Sequence, residues 1–131
     1  MGVTQDVLDQ LLAIARREPE LECCGLLAGR EGLISVVLPA RNALASATSY
    51  EIAPLELFTL FRRMRDEGLD LLGIYHSHPR GENAPSPNDI ALAFYPDVAY
   101  FILSTQPNTS RPVRAFRICD GQVRELVLQS L

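Results

Sequence analysis

The chain has 131 residues, of which 47% are hydrophobic and 21% charged, ordinary values for a single globular domain spanning residues 1–131. Twelve basic against sixteen acidic side chains leave a formal charge of −4, which argues against the basic face of a nucleic-acid binder. No apolar run approaches the roughly 18 to 20 residues of a membrane span. All twelve cations are arginine. The opening "MGVTQDVLDQ" lacks the basic-then-apolar pattern of a secretory signal, and Asp6 stands where a myristoylation site needs Ser or Thr. A cytoplasmic setting follows, in which thiols stay reduced. Cys23, Cys24 and Cys119 are therefore expected to be small buried hydrophobes.

In chain order, residues 4–17 place Val7, Leu8, Leu11, Leu12 and Ala15 on one helical face, with Thr4 as cap and Arg16 and Arg17 at the negative end. Glu18-Pro19 stops that helix. "CCGLLAGR" and "GLISVVLPA" read as two strands joined by a turn near Gly29 to Gly32. "RNALASATS" is a loop of small polar residues, and "YEI" a short strand. Pro54 opens a second helix that carries Leu57, Leu60, Phe61 and Met64 and stops at Gly68. "LDLLGIYH" is a strand, "SPNDIALAFY" a third helix ended by Pro96, and "VAYFILS" a buried strand. "PVRAFRIC", Asp-Gly and "VRELVL" make a hairpin. The order α-β-β-β-α-β-α-β-β-β predicts a mixed sheet flanked by helices, a layered α/β or α+β sandwich.

Both histidines of the chain lie in "GIYHSHPRGENAPSPNDI", two positions apart. Residues i and i+2 of a strand share a face, so His76 and His78 can point at one spot, which is half of a zinc site. Ser77 faces the other way and reads as structural. A third ligand is required, and Asp89 is the nearest good candidate. "SPND" is a helix start, with Ser86 at the cap and Pro87 at the first helical position. Asp89 is then either a capping-box acid reaching back to Ser86 or a carboxylate aimed at the strand end. Two histidines and a carboxylate leave a tetrahedral zinc with one open position, where water has its pKa lowered to roughly 7. A base must take that water's proton; by spacing, Glu18, Glu20, Glu22 and Glu82 all qualify.

"HSHP" followed after the proline-led spacer by "SPND" resembles the His-x-His-Pro…Ser-x-x-Asp pattern of the JAMM, or MPN+, metalloproteases. "ECCGLLAG" resembles that family's Glu-x-x-Gly strand, and the leading helix, "RNAL…YEIAP" and the second helix come in the family's order. The resemblance implies the JAMM/MPN fold, similar in architecture to cytidine deaminases. It implies that His76, His78 and Asp89 bind Zn²⁺, that Glu22 is the proton acceptor and donor, and that Ser86 donates a hydrogen bond to the tetrahedral intermediate. It further implies cleavage of a peptide or isopeptide bond after the C-terminal glycine of a ubiquitin-like or sulfur-carrier protein, whose extended tail lies beside a sheet edge. The short chain is similar to the compact prokaryotic branch, some of whose members release an amino acid such as cysteine from a sulfur carrier.

A zinc deaminase needs His-x-Glu and a later Pro-Cys-x-x-Cys, which this chain lacks. A cupin-like site wants a third histidine. A non-catalytic MPN scaffold is the alternative from another class, but such domains usually lack one or more ligands, and here the set is complete. A DNA-associated member is disfavoured by the acidic balance.

Overall fold

The structure is a computed structural model that describes all 131 residues. Eight strands form one mixed sheet in the order β7-β6-β5-β4-β2-β3-β1-β8, with α1 on one face and α2 and α3 on the other. The strands are β1 (Gly2–Val3), β2 (Cys24–Arg30), β3 (Leu33–Ala40), β4 (Asp70–His78), β5 (Ala99–Ser104), β6 (Val113–Cys119), β7 (Gln122–Leu126) and β8 (Gln129–Ser130); the helices are α1 (Gln5–Arg17), α2 (Pro54–Glu67) and α3 (Pro87–Ala91). The β4–β5, β1–β3 and β1–β8 pairs are parallel and the rest antiparallel, the layered α/β arrangement expected from the element order.

Local chemistry explains the element ends. Thr4 Oγ1 accepts the Val7 N–H at 3.2 Å and starts α1. Gly68 ends α2 in the left-handed conformation, φ 67°, at its C-cap. The β2–β3 and β6–β7 turns are Glu31-Gly32 and Asp120-Gly121, each with positive φ at both positions, as the tightest hairpins require.

The sheet separates two cores. Val7, Leu11 and Ala15 of α1 pack on Leu27, Tyr75, Phe101 and Leu103. Leu60 and Met64 of α2 pack on Leu26, Ile74, Tyr100 and Ile102. Each fully buried Leu, Val or Ile contributes about 1.5–3 kcal/mol, so these two layers hold the sheet between the helices.

Four features depart from the sequence reading. "YEI" forms no strand, and the third helix stops at Ala91 rather than running to Tyr95. Two terminal strands, β1 and β8, were not expected. Both are two residues long, too short for a periodic signal. Cys24 is buried, but Cys23 is half-buried and Cys119 exposed, at the hairpin turn. Only Val127 and Leu128 separate β7 from β8, yet these strands lie at opposite ends of the sheet order. Three peptide steps span about 11 Å at most, so the sheet must curl until its ends nearly meet. The Met1 ammonium donates to the Val127 carbonyl at 2.8 Å across that seam.

Candidate metal centre

β4 carries alternating side chains to the two cores. Tyr75 faces α1, whereas Ile74 and His76 face α2. The strand runs on to His78, so both histidines belong to it and share a face. Their Nε2 atoms stand 3.1 Å apart. Ser77 does face away and is structural: its Oγ accepts the Cys23 N–H at 2.9 Å and donates to the Leu21 carbonyl at 3.4 Å.

Asp89 completes the group. It lies in the first turn of α3, where Ser86 Oγ accepts the Asp89 N–H at 3.0 Å and Asp89 Oδ2 accepts the Ser86 N–H at 2.9 Å. Asp89 Oδ1 is 3.1 Å from His76 Nε2, and Oδ2 is 3.0 Å from His78 Nε2. Burial alone would raise the Asp89 pKa, but hydrogen bonds to His76, His78 and the Ser86 N–H hold this carboxyl well below the usual range. Burial pushes His76 down, against the pull of Asp89; His78 is raised, because Asp89 and the Glu82 carbonyl outweigh its burial.

The donor set fits a tetrahedral metal ion. Nitrogen and oxygen ligands at about 2.0–2.2 Å from zinc lie about 3.3–3.5 Å from one another, close to the spacings here. The proton count points the same way. His78 Nδ1 is 2.8 Å from the Glu82 carbonyl and must donate to it. A neutral His78 then turns the Nε2 lone pair toward Asp89 and toward His76. Either a proton on Nε2 or a bound cation must then stand between that nitrogen and the carboxylate, and a metal ion is the one partner that all three donor atoms can share.

Of the four spaced glutamates, Glu22 is the one beside these groups. It is 4% exposed, while Glu18, Glu20 and Glu82 are exposed. Glu22 lines a small cavity with His76 and Asp89, and also an open cleft of about 190 Å³ with His78 and Ser86. Burial pushes its pKa up to about 7, with Asp89 adding to the rise and His78 opposing it. Glu22 Oε1 is buried with no hydrogen-bond donor from the protein, an acceptor free for another partner. Ser86 Oγ spends a lone pair on the Asp89 N–H, which leaves its own hydrogen to donate into the cleft.

Two further residues carry the site and had no distinguishing signal in the sequence. Tyr50 stacks on His76, centroids 4.7 Å apart and planes 19° apart, and holds a ring whose Nδ1 has no protein partner. Asn83, 5% exposed, donates from Nδ2 to the Arg111 carbonyl at 2.8 Å and pins the loop whose Glu82 carbonyl orients His78.

Residues 4–119 match the family model described as prokaryotic homologs of the JAB domain. The chain belongs to this family. It is 37% identical over 125 residues to the CysO-cysteine peptidase of Mycobacterium tuberculosis, covering 94% of this chain and 86% of the relative. It is 39% identical over 127 residues to a Thermus thermophilus protein named "Probable TtuB-protein conjugate cleaving protease", covering 96% and 81%. Among solved structures, a protein from Desulfitobacterium hafniense superposes with a TM-score of 0.85 at 33% identity, over 99% of this chain and 93% of that one. The layered fold and the family resemblance drawn from "HSHP…SPND" and "ECCGLLAG" are thereby borne out.

Proposed function

We propose that this JAB-domain chain is a zinc-dependent peptidase or isopeptidase that cuts the bond after the C-terminal glycine of a ubiquitin-like or sulfur-carrier protein. The observation that carries this reading is the convergence of His76, His78 and Asp89 within 3.0–3.1 Å of one another, with the buried Glu22 beside them. The names of the mycobacterial and Thermus relatives support the substrate class.

In this reading His76, His78 and Asp89 hold the ion. Zinc supplies a Lewis acid for the scissile carbonyl and water of lowered pKa, roughly 7. Glu22, with its pKa raised to about 7, takes a proton from the attacking water and returns it to the leaving amine. Ser86 donates its free hydrogen to the oxygen that becomes negative in the tetrahedral intermediate. A complete ligand set with an adjacent buried acid disfavours the non-catalytic scaffold. β4, which carries both histidines, is an interior strand, and the ends of the sheet order are β7 and β8. No helix is long and apolar enough to cross a membrane. We place the chain in the cytoplasm, where its three unpaired thiols stay reduced.

The test is incubation of the zinc-loaded chain with a ubiquitin-like carrier bearing a C-terminal cysteine or a lysine-linked protein, read by mass spectrometry. Release at the terminal glycine, abolished by a chelator and restored by zinc, is the expected result. Intact conjugates throughout would remove the reading.

A further inference from the structure

Glu22 precedes β2, so the sheet does not hold it. Its N–H donates to the Ser46 carbonyl at 2.9 Å, and its carbonyl accepts from Asn42 Nδ2 at 3.1 Å. Both bonds lead into residues 41–53, which form neither helix nor strand. Backbone groups that lack a helix or sheet partner need side chains to satisfy them. Here Asn42 does so for five residues. Beyond the Glu22 carbonyl, Nδ2 donates to the Ser49 carbonyl at 2.9 Å and the Ser46 carbonyl at 3.4 Å, and Oδ1 accepts the Leu44 N–H at 3.0 Å and the Glu51 N–H at 3.2 Å. Ser49 and Glu51 flank Tyr50, the ring stacked on His76. One half-buried amide thus ties the backbone of the candidate base to the backbone on either side of the ring that covers a candidate ligand. Residues 43–49 are Ala, Ser and Thr apart from the exposed Leu44, and bring little packing of their own.

We infer that Asn42 is a positioning residue for the reaction, fixing Glu22 beside the metal centre and Tyr50 against His76. The inference rests on Glu22 being the proton acceptor proposed above. Asn42 touches neither the ligands nor the reacting atoms. His76, His78 and Asp89 sit on β4 and α3, which it does not bond. Its loss therefore loosens the base while leaving the ligands in place. A base works only within about 2.6–3.2 Å of the proton it takes. Asn is the residue that offers two donors and an acceptor at this reach. Asn42→Asp separates the roles: it keeps the shape and the two acceptor bonds, but sets carboxylate oxygen against the Glu22 and Ser49 carbonyls.

The experiment compares Asn42→Ala, Asn42→Asp, Glu22→Gln and Leu11→Ala, all zinc-loaded. The substrate is a ubiquitin-like carrier linked through its terminal glycine to aminomethylcoumarin. Leu11→Ala is the control for general destabilisation, since Leu11 is buried under the opposite face of the sheet. Both Asn42 variants should lower kcat about 10- to 100-fold, the scale of an ångström-sized misplacement, with KM within about threefold of wild type and zinc affinity falling by less than kcat does, at most the few-fold that a loosened Tyr50 ring costs. Leu11→Ala should keep kcat within about threefold. Full turnover in both Asn42 variants with Glu22→Gln inactive would overturn the inference alone. An equal loss in Leu11→Ala, or zinc affinity falling in step with kcat, would overturn it too. An active Glu22→Gln would instead remove the reading of Glu22 on which it rests.

Discussion

Asp89 and Ser86 bind each other reciprocally, and the carboxylate that closes this cap is also the one that meets both imidazoles. Asp89 Oδ2 accepts the Ser86 N–H at 2.9 Å and lies 3.0 Å from His78 Nε2. The helix cap and the approach to both imidazoles, two alternatives in the sequence, are one arrangement in the fold. A helix of five residues has little cooperativity of its own, so the reciprocal cap is what aims the carboxylate.

Asp89→Ala is expected to abolish tight zinc binding and to cost about 0.5–2 kcal/mol in the zinc-free protein, the worth of a helix cap. Asp89→Asn keeps an acceptor for the Ser86 N–H, so the zinc-free stability should stay near wild type while zinc is still lost. Calorimetric zinc titration and thermal melting in chelator separate the two effects. Wild-type zinc affinity in either variant would reduce Asp89 to a cap.

Ser86→Ala should lower kcat about 10²- to 10³-fold if its hydroxyl serves the developing oxyanion. The lost cap would account for only about 0.5–2 kcal/mol of stability. Steady-state kinetics on folded, zinc-saturated protein is the check. A melt shifted down with kcat unchanged assigns Ser86 to the cap alone.

How much of this was legible beforehand differs from place to place. The periodic faces of α1 and α2 were plain, because a 13- or 14-residue amphipathic helix repeats its signal several times. The terminal strands β1 and β8 were not, since two residues carry no period. "YEI" has strand-like residues, yet Tyr50 is used to cover His76 and its neighbours bond to the Asn42 side chain, so tertiary contacts override propensity. His76 and His78 followed from alternation along a strand. The choice of Glu22 among four acids did not, because it depends on which loop folds over the strand end. Only family resemblance chose it. Asn42, Tyr50 and Asn83 were invisible for the same reason: each acts through partners far away in sequence.

Tyr50→Ala removes the ring stacked on His76, a contact worth about 0.5–1.5 kcal/mol, so zinc affinity should fall about two- to tenfold. Tyr50→Phe keeps the stack and should bind zinc as wild type does. Competition against a chelating dye measures both. Equal affinities across the three proteins would show that His76 does not depend on the stack.

Gly25, the glycine of "ECCG", has a steric role. A Cβ there would lie 2.5 Å from the Tyr75 ring and 2.6 Å from the Leu38 carbonyl oxygen, which is backbone and cannot swing away. Gly25→Ala is expected to cost about 1–3 kcal/mol, the usual penalty of overpacking. Denaturant unfolding gives the value; an unchanged midpoint would mean that β2 and β3 separate without strain.

Zinc content tests the metal centre most directly. Wild-type protein, His78→Ala and Glu22→Gln are equilibrated with limiting zinc, freed of unbound metal, and measured by plasma mass spectrometry. Wild type and Glu22→Gln should each carry about one zinc per chain, and His78→Ala far less, as expected of a site with three protein ligands and a separate base. Undiminished zinc in His78→Ala, or zinc lost from Glu22→Gln, would contradict the assignment of ligands and base.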